Sequence, residues 1–253
     1  MLRRVAVTVV RGAEEEARAR MLGVAPEGFE ERTVASGLEL AAYTDAAGEQ
    51  AIRHAFGEVS SEPFADDWQE RWKTFHEPLE LGSLWIGPPW RDPAAGLVPV
   101  VIDPGRAFGT GAHDTTRLCL EQLELLPRGS LLDVGCGSGV LAIAGARLGY
   151  APVTALDSDP NAVAATSANA ARNGVSVAVA RADVVEDPLP AADVAVVNIA
   201  LAVVEQVLPR LDAAWAVVSG FRVEDRLHAP GWDTERRVDR TGWAAAVLRR
   251  PTQ

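Results

Sequence analysis

Gly135, Gly137 and Gly139 follow the apolar run Leu131-Leu132-Asp133-Val134 at alternate positions, and Asp157 and Asn198 each close a later apolar run. Glycines so spaced let a ligand lie against bare backbone, because a residue without Cβ accepts positive φ and close approach. The pattern is G-x-G-x-G. The dinucleotide fingerprint G-x-G-x-x-G needs glycine at 140, where the chain has Val140, so hydride transfer on a nicotinamide cofactor is disfavoured. A glycine loop by itself also serves any tight strand-to-helix turn. Asp157, 22 residues beyond Gly135 at the tip of the next apolar run, can accept both hydroxyls of an adenosyl ribose, and its charge repels phosphate from that place. Asp133 has two readings: it reaches the ammonium of a methionyl group, directly or through water, or it caps the turn. Asn198 also has two, since a polar amide after Val194–Val197 needs partners. It is either a ligand contact at the sheet edge or a cap for the helix that follows.

A second chemical segment is Pro104-Gly105-Arg106-Ala107-Phe108-Gly109-Thr110-Gly111-Ala112-His113-Asp114-Thr115-Thr116. Its glycines, single aromatic and small hydroxyls describe a loop able to close over a ligand, with Asp114 or Thr115 capping the next helix. Phe108 and His113 belong to this loop. His113 is either a substrate contact or a structural histidine.

These residues need a scaffold that brings them to one edge. From Leu97, apolar runs near Val98–Ile102, Ser130–Val134, Val153–Asp157, Val175–Arg181, Val194–Asn198 and Ala214–Ser219 alternate with helical patterns at Asp114–Leu126, Gly139–Leu148, Pro160–Arg172 and Ala202–Leu211. Continuously apolar strands imply a parallel sheet covered on both faces, an α/β Rossmann-like architecture. Asp159-Pro160 starts its helix as cap and first-turn proline. Trp232–Val238 and Trp243–Arg249 predict a closing antiparallel hairpin. Ahead of this domain, Leu2–Val10, Ala13–Leu22, Gly28–Val34, Leu38–Thr44, Asp45–Phe56 and Gly57–Ser61 give the order β-α-β-β-α-β of a small α+β ferredoxin-like domain over 1–61. Residues 62–96, rich in proline and tryptophan, predict a linker, with the catalytic domain spanning 97–253. In the linker Trp68, Trp72 and Phe75 share a helical face, which is either a substrate platform or packing surface.

The segments Ile102–Thr116, Leu132–Ile143, Leu156–Pro160 and Val197–Ile199, the acidic Asp66-Asp67-Trp68-Gln69-Glu70-Arg71-Trp72 and the small leading domain together resemble the PrmA family, class I methyltransferases of ribosomal protein L11. The run Ala107–Thr116 is the most discriminating piece. This resemblance implies cofactor contacts at Thr116, Gly135, Asp157 and Asn198. It also implies S-adenosylmethionine as cofactor, and methylation of lysine side-chain and amino-terminal amines of that ribosomal protein. A leading domain that recognises the protein substrate, and a linker that lets it move, are implied as well. Adding the residues read directly, the expected cofactor set is Phe108, Thr116, Asp133, Gly135, Gly137, Gly139, Asp157 and Asn198; the expected catalytic pair is Asn198 and His113. No metal is expected. The chain departs from the family at two places. Asn198-Ile199-Ala200-Leu201 lacks the Asn-Pro-Pro-Tyr form of other amino methyltransferases, and only ten residues separate Gly220 from Gly231, too few for a long helix before the hairpin.

Composition narrows the partners. The net charge of −11 divides between 10 basic and 17 acidic residues in 1–95 and 14 basic and 18 acidic ones beyond, so neither part carries a basic footprint for RNA or DNA. No apolar run reaches the roughly 18 residues of a membrane span, and Cys119 and Cys136 have no disulfide or metal-ligand spacing, which favours a cytoplasmic home. Two other functions fit the residues: a methyltransferase of the same fold acting on another protein lysine or a small amine, and a non-catalytic adenosyl-binding module. Nothing in the residues fixes an oligomeric state.

Overall fold

The computed structural model describes residues 3–9, 13, 17, 20–21, 23–25, 28–34, 37–63, 77–103 and 113–251. Phe108 and the rest of loop 104–112 lie outside them, as does the Trp68, Trp72, Phe75 stripe. The chain divides into two units, 1–75 and 76–253.

In the first unit, alternation decides everything. Strand β1 (Arg3–Val9) turns Val5, Val7 and Val9 to one face, where they meet Leu38, Leu40 and Ala42 of β3 (Gly37–Thr44). Ala17 and Met21, in helical backbone, and Ile52 of α1 (Ala46–Phe56) cover that face. Asp45 caps α1 through the Ala47 and Gly48 N–H groups. With β2 (Glu30–Val34) and β4 (Ser60–Pro63) the sheet runs β2-β3-β1-β4, antiparallel throughout, the split βαβ arrangement that the element order predicts. Pro63 sits on the edge strand, where a missing N–H costs no ladder bond.

The second unit opens with a sheet of its own. Strands β5 (Leu79–Leu81), β6 (Leu84–Gly87) and β7 (Val98–Val101) pair in that order, and Leu84, Trp85 and Ile86 are buried. Two expectations are corrected here. The linker expected over 62–96 contains two strands of the second unit, and the strand near Val98 belongs to this small sheet instead of the main one. Proline and tryptophan mark turns and bulk. They do not forbid short strands between them.

The main sheet orders as β10-β9-β8-β11-β12-β14-β13, formed by β8 (Leu131–Val134), β9 (Val153–Asp157), β10 (Ala178–Arg181), β11 (Ala192–Asn198), β12 (Ala213–Arg222), β13 (Asp233–Arg240) and β14 (Trp243–Arg249). The first five pair in parallel and β14 runs antiparallel between β12 and β13. Successive residues point to opposite faces. Leu131, Val194 and Val196 therefore join the core under α2 (Asp114–Leu125), α3 (Val140–Arg147) and α4 (Pro160–Asn173), while Leu132, Ala195 and Val197 join the core under α5 (Leu201–Val207). Burial on both sides is the reason these strands read as unbroken apolar runs. The last predicted helix is split, with a 3-10 turn at Leu208–Arg210 where Pro209 removes a donor. The outermost strand β13 has mostly exposed, charged residues.

Candidate active site

The carboxyl ends of β8, β9 and β11 lie side by side, since Val134 pairs with Leu156 and with Val197. That register brings the glycine loop, Asp157 and Asn198 to one edge. At the turn after β8 the chain takes positive φ at Gly135 (76°), Gly137 (54°) and Gly139 (83°). The Gly135 and Cys136 N–H groups both donate to Leu156 O, at 2.8 and 3.0 Å, while the Gly137 N–H donates to Asp157 Oδ2 at 2.9 Å. Asp157 Oδ1 accepts the Asp159 N–H at 3.0 Å. Each carboxylate oxygen thus spends one lone pair on backbone and keeps another toward the edge. Thr166, fully buried, donates to Gly137 O at 2.9 Å and fixes the loop from behind.

Gly139 begins α3 but has no side chain with which to cap it. Asp133 supplies the cap: its Oδ2 accepts the Ala142 N–H at 3.0 Å. Its Oδ1 is buried without a hydrogen-bond partner among the described residues. Burial, reinforced by the nearby Asp157 charge and opposed by the Ala142 bond, pushes this carboxyl up to about 7. The structure thus bears out the capping reading through one oxygen, while the other has no partner among the described residues.

Asn198 is half-buried at the tip of β11, and its Nδ2 donates to Thr116 Oγ1 at 3.3 Å. These residues are 82 positions apart in sequence, and the amide oxygen is left as an acceptor. His113 is exposed and is itself the cap of α2, where Thr115 N–H donates to its Nδ1 at 3.4 Å and Thr115 Oγ1 lies 2.8 Å from the same nitrogen. That replaces the capping expected of Asp114 or Thr115; Asp114 instead accepts a hydrogen bond from Thr241. The His113 and Trp243 ring centroids lie 5.0 Å apart with the planes at 68°, and the Arg222 guanidinium lies over the Trp243 ring at 4.6 Å. Sequence reasoning gave Trp243 no contact with His113, because that contact depends on where the closing hairpin folds back.

The segment between Gly220 and Gly231, short by the family's pattern, finishes β12 at Arg222 and is then a turn and loop. Asp225 accepts the Arg222 N–H at 2.7 Å, Glu205 accepts the His228 N–H at 2.7 Å, and Trp232 Nε1 closes the loop onto Leu208 O at 3.1 Å.

Strand order, glycine turn and the acid at the neighbouring tip are those of the class I methyltransferase fold, whose usual cofactor is S-adenosylmethionine. The residues fit that cofactor: positive-φ backbone, a carboxylate with free lone pairs, and a buried oxygen awaiting a donor. Residues 25–251 match the family Ribosomal protein L11 methyltransferase (PrmA). The ribosomal protein L11 methyltransferase of Synechococcus elongatus is 39% identical over 206 residues, which cover 72% of this chain and 69% of that protein. That of Symbiobacterium thermophilum is 44% identical over 149 residues, 57% of this chain and 49% of that protein. The chain spans about half the length of the latter relative. The crystal structure of a ribosomal protein L11 methylase from Lactobacillus delbrueckii subsp. bulgaricus matches with a TM-score of 0.62 at 27% identity, covering 70% of this chain and 100% of that one. The chain belongs to the ribosomal protein L11 methyltransferase family.

Proposed function

We propose that this protein transfers methyl groups to lysine side-chain and amino-terminal amines of ribosomal protein L11. The observation that carries the reading is the Asn198 amide, held by Thr116 beside the Gly137 and Asp157 pair. With Nδ2 committed to Thr116, the Asn198 oxygen is the group able to accept an amine N–H and aim its lone pair. Bound S-adenosylmethionine supplies an electrophilic methyl on a sulfonium. Gly135, Gly137, Gly139 and Asp157 would hold its adenosyl end, with Thr116 and, by the family resemblance, Phe108 as further contacts, and Asp133 would offer Oδ1 to its ammonium.

A lysine of ordinary pKa near 10.4 is about 3 units from neutral at pH 7.4, a cost of roughly 4 kcal/mol. The site meets it by favouring the neutral amine at Asn198 next to a positive charge. His113, tied to Thr115 and Trp243, acts as a cap, and the amine proton leaves to water. The unit of residues 1–75 recognises the protein substrate, and a ribosomal substrate places the enzyme in the cytoplasm.

Incubation of the purified protein with labelled S-adenosylmethionine and purified ribosomal protein L11, followed by mass spectrometry, tests this. Mass gains of 14 Da multiples on lysine or the amino terminus support it. Labelling of another protein in a cell extract, with L11 untouched, refutes the substrate.

A further inference from the structure

Beyond β11 the chain leaves the sheet through Ile199, and this residue is gripped on two sides. An ideal Cβ on Gly220 would stand 1.9 Å from Ile199 O, 2.6 Å from its carbonyl carbon and 3.1 Å from its N. These are backbone atoms, which cannot swing away as a side-chain end can. On the other side, a Cβ on Gly135 would stand 2.5 Å from Ile199 Cγ2. Ile199 is therefore in close contact with two glycines, its backbone with Gly220 near the end of β12 and its Cγ2 methyl with Gly135 just after β8.

Gly220 reaches this position through a bulge. Ser219 pairs with Ala245 and Phe221 with Ala244, so Gly220 has no partner in β14 and takes φ +99°. An extra residue with positive φ is the usual way a strand bends locally and re-aims its neighbours. The bulge is clamped by Ser219, fully buried, whose Oγ donates to Ala244 O at 2.7 Å. Ser219 is also the residue in register with Asn198 across the parallel pair. Strand β12 thus fixes the backbone on both sides of the Asn198 Cα: its own level by pairing, the next by the Gly220 contact.

We propose that Gly220 is a positioning residue for methyl transfer, its bulge setting the Asn198 amide at the angle that reaches Thr116 and the incoming amine. The proposal rests on the function proposed above for Asn198. The three heavy atoms nearest a Cβ on Gly220 all belong to Ile199, the residue after Asn198, so its effect falls on turnover more than on adenosyl binding.

The test is a double-mutant cycle on the full chain with Gly220→Ala and Asn198→Ala, measuring kcat, KM for L11 and calorimetric affinity for S-adenosylhomocysteine. Gly220→Ala is expected to lower kcat at least about tenfold, with affinity for the probe changed less than about twofold. The double variant is expected to be no slower than Asn198→Ala alone, because both changes remove one interaction. Multiplying losses overturn the proposal, since they place Gly220 outside the Asn198 pathway. If Gly220→Ala does not fold, Ser219→Ala keeps the glycine, loosens the bulge and carries the same cycle with the same two outcomes. A wild-type protein inactive on L11 refutes the function instead; the Asn198 side-chain amide resonances then decide for Gly220, a shift in Gly220→Ala supporting the contact and an unmoved pair of signals overturning it.

Discussion

Replacing Asp133 by asparagine isolates one buried charge. Asp133 is 1% exposed, accepts a single backbone N–H and has its other oxygen unpartnered among the described residues. Its carboxyl rises from an ordinary 3.8 to about 7, with burial the main cause and the Asp157 charge a lesser one. At about 1.4 kcal/mol for each pH unit, protonation is worth about 4 kcal/mol more in the folded chain than in the unfolded one. Because the folded value is the higher, this stability is fully present below about pH 4, and it is lost as pH rises through 7. Asparagine keeps the acceptor for Ala142 and cannot ionise. The Asp133→Asn chain should therefore match the parent below about pH 4 and exceed it by a margin that grows from there, about 1.5 kcal/mol at pH 5 and about 4 kcal/mol at pH 8. Urea unfolding at pH 5, 6, 7 and 8, in the absence of cofactor, reads the difference directly through the midpoint. A gap that does not change between pH 5 and pH 8 would refute the account, for it would mean Asp133 does not titrate in this range. On the proposed role of Asp133 opposite the cofactor ammonium, the same variant should gain stability and bind S-adenosylhomocysteine more weakly.

Two further outcomes bear on the site. Asp157→Asn retains the shape but not the charge of the group holding Gly137, and calorimetry should show affinity for S-adenosylhomocysteine reduced roughly tenfold or more; unchanged affinity would remove Asp157 from the ligand set. Asn198→Ala should lower kcat about a hundredfold, with modest loss of cofactor affinity, and steady-state kinetics showing the reverse split would make Asn198 a binding residue.

Much of this architecture was legible because burial leaves a periodic mark. The unbroken apolar strands announced a two-sided sheet, and Asp159-Pro160 announced a helix start that Asp159 indeed caps through the Asn161 N–H. Glycine spacing located the loop since its three positive φ values are a backbone property carried by residue type alone. The limits have physical causes too. Leu79–Leu81 and Leu84–Gly87 are too short for a period to emerge from their prolines and tryptophans. Gly220 reads as one more glycine until the β14 register shows it unpaired. His113 became a cap because its ring nitrogen lies beside Thr115, a matter of rotamer that no spacing encodes. Asp133 took the capping alternative through one oxygen, a choice its place before the glycine turn allowed but did not dictate.

Strand β13 carries a last consequence. Six of the eight residues in Asp233–Arg240 are charged, and most are exposed. Unsatisfied edges invite another strand to zip on. Any newcomer here would have to strip hydration from acids and bases along its whole length, so the sheet ends in a selvedge that resists unravelling into aggregates, and the catalytic unit should tolerate the high concentrations at which bare-edged sheets precipitate.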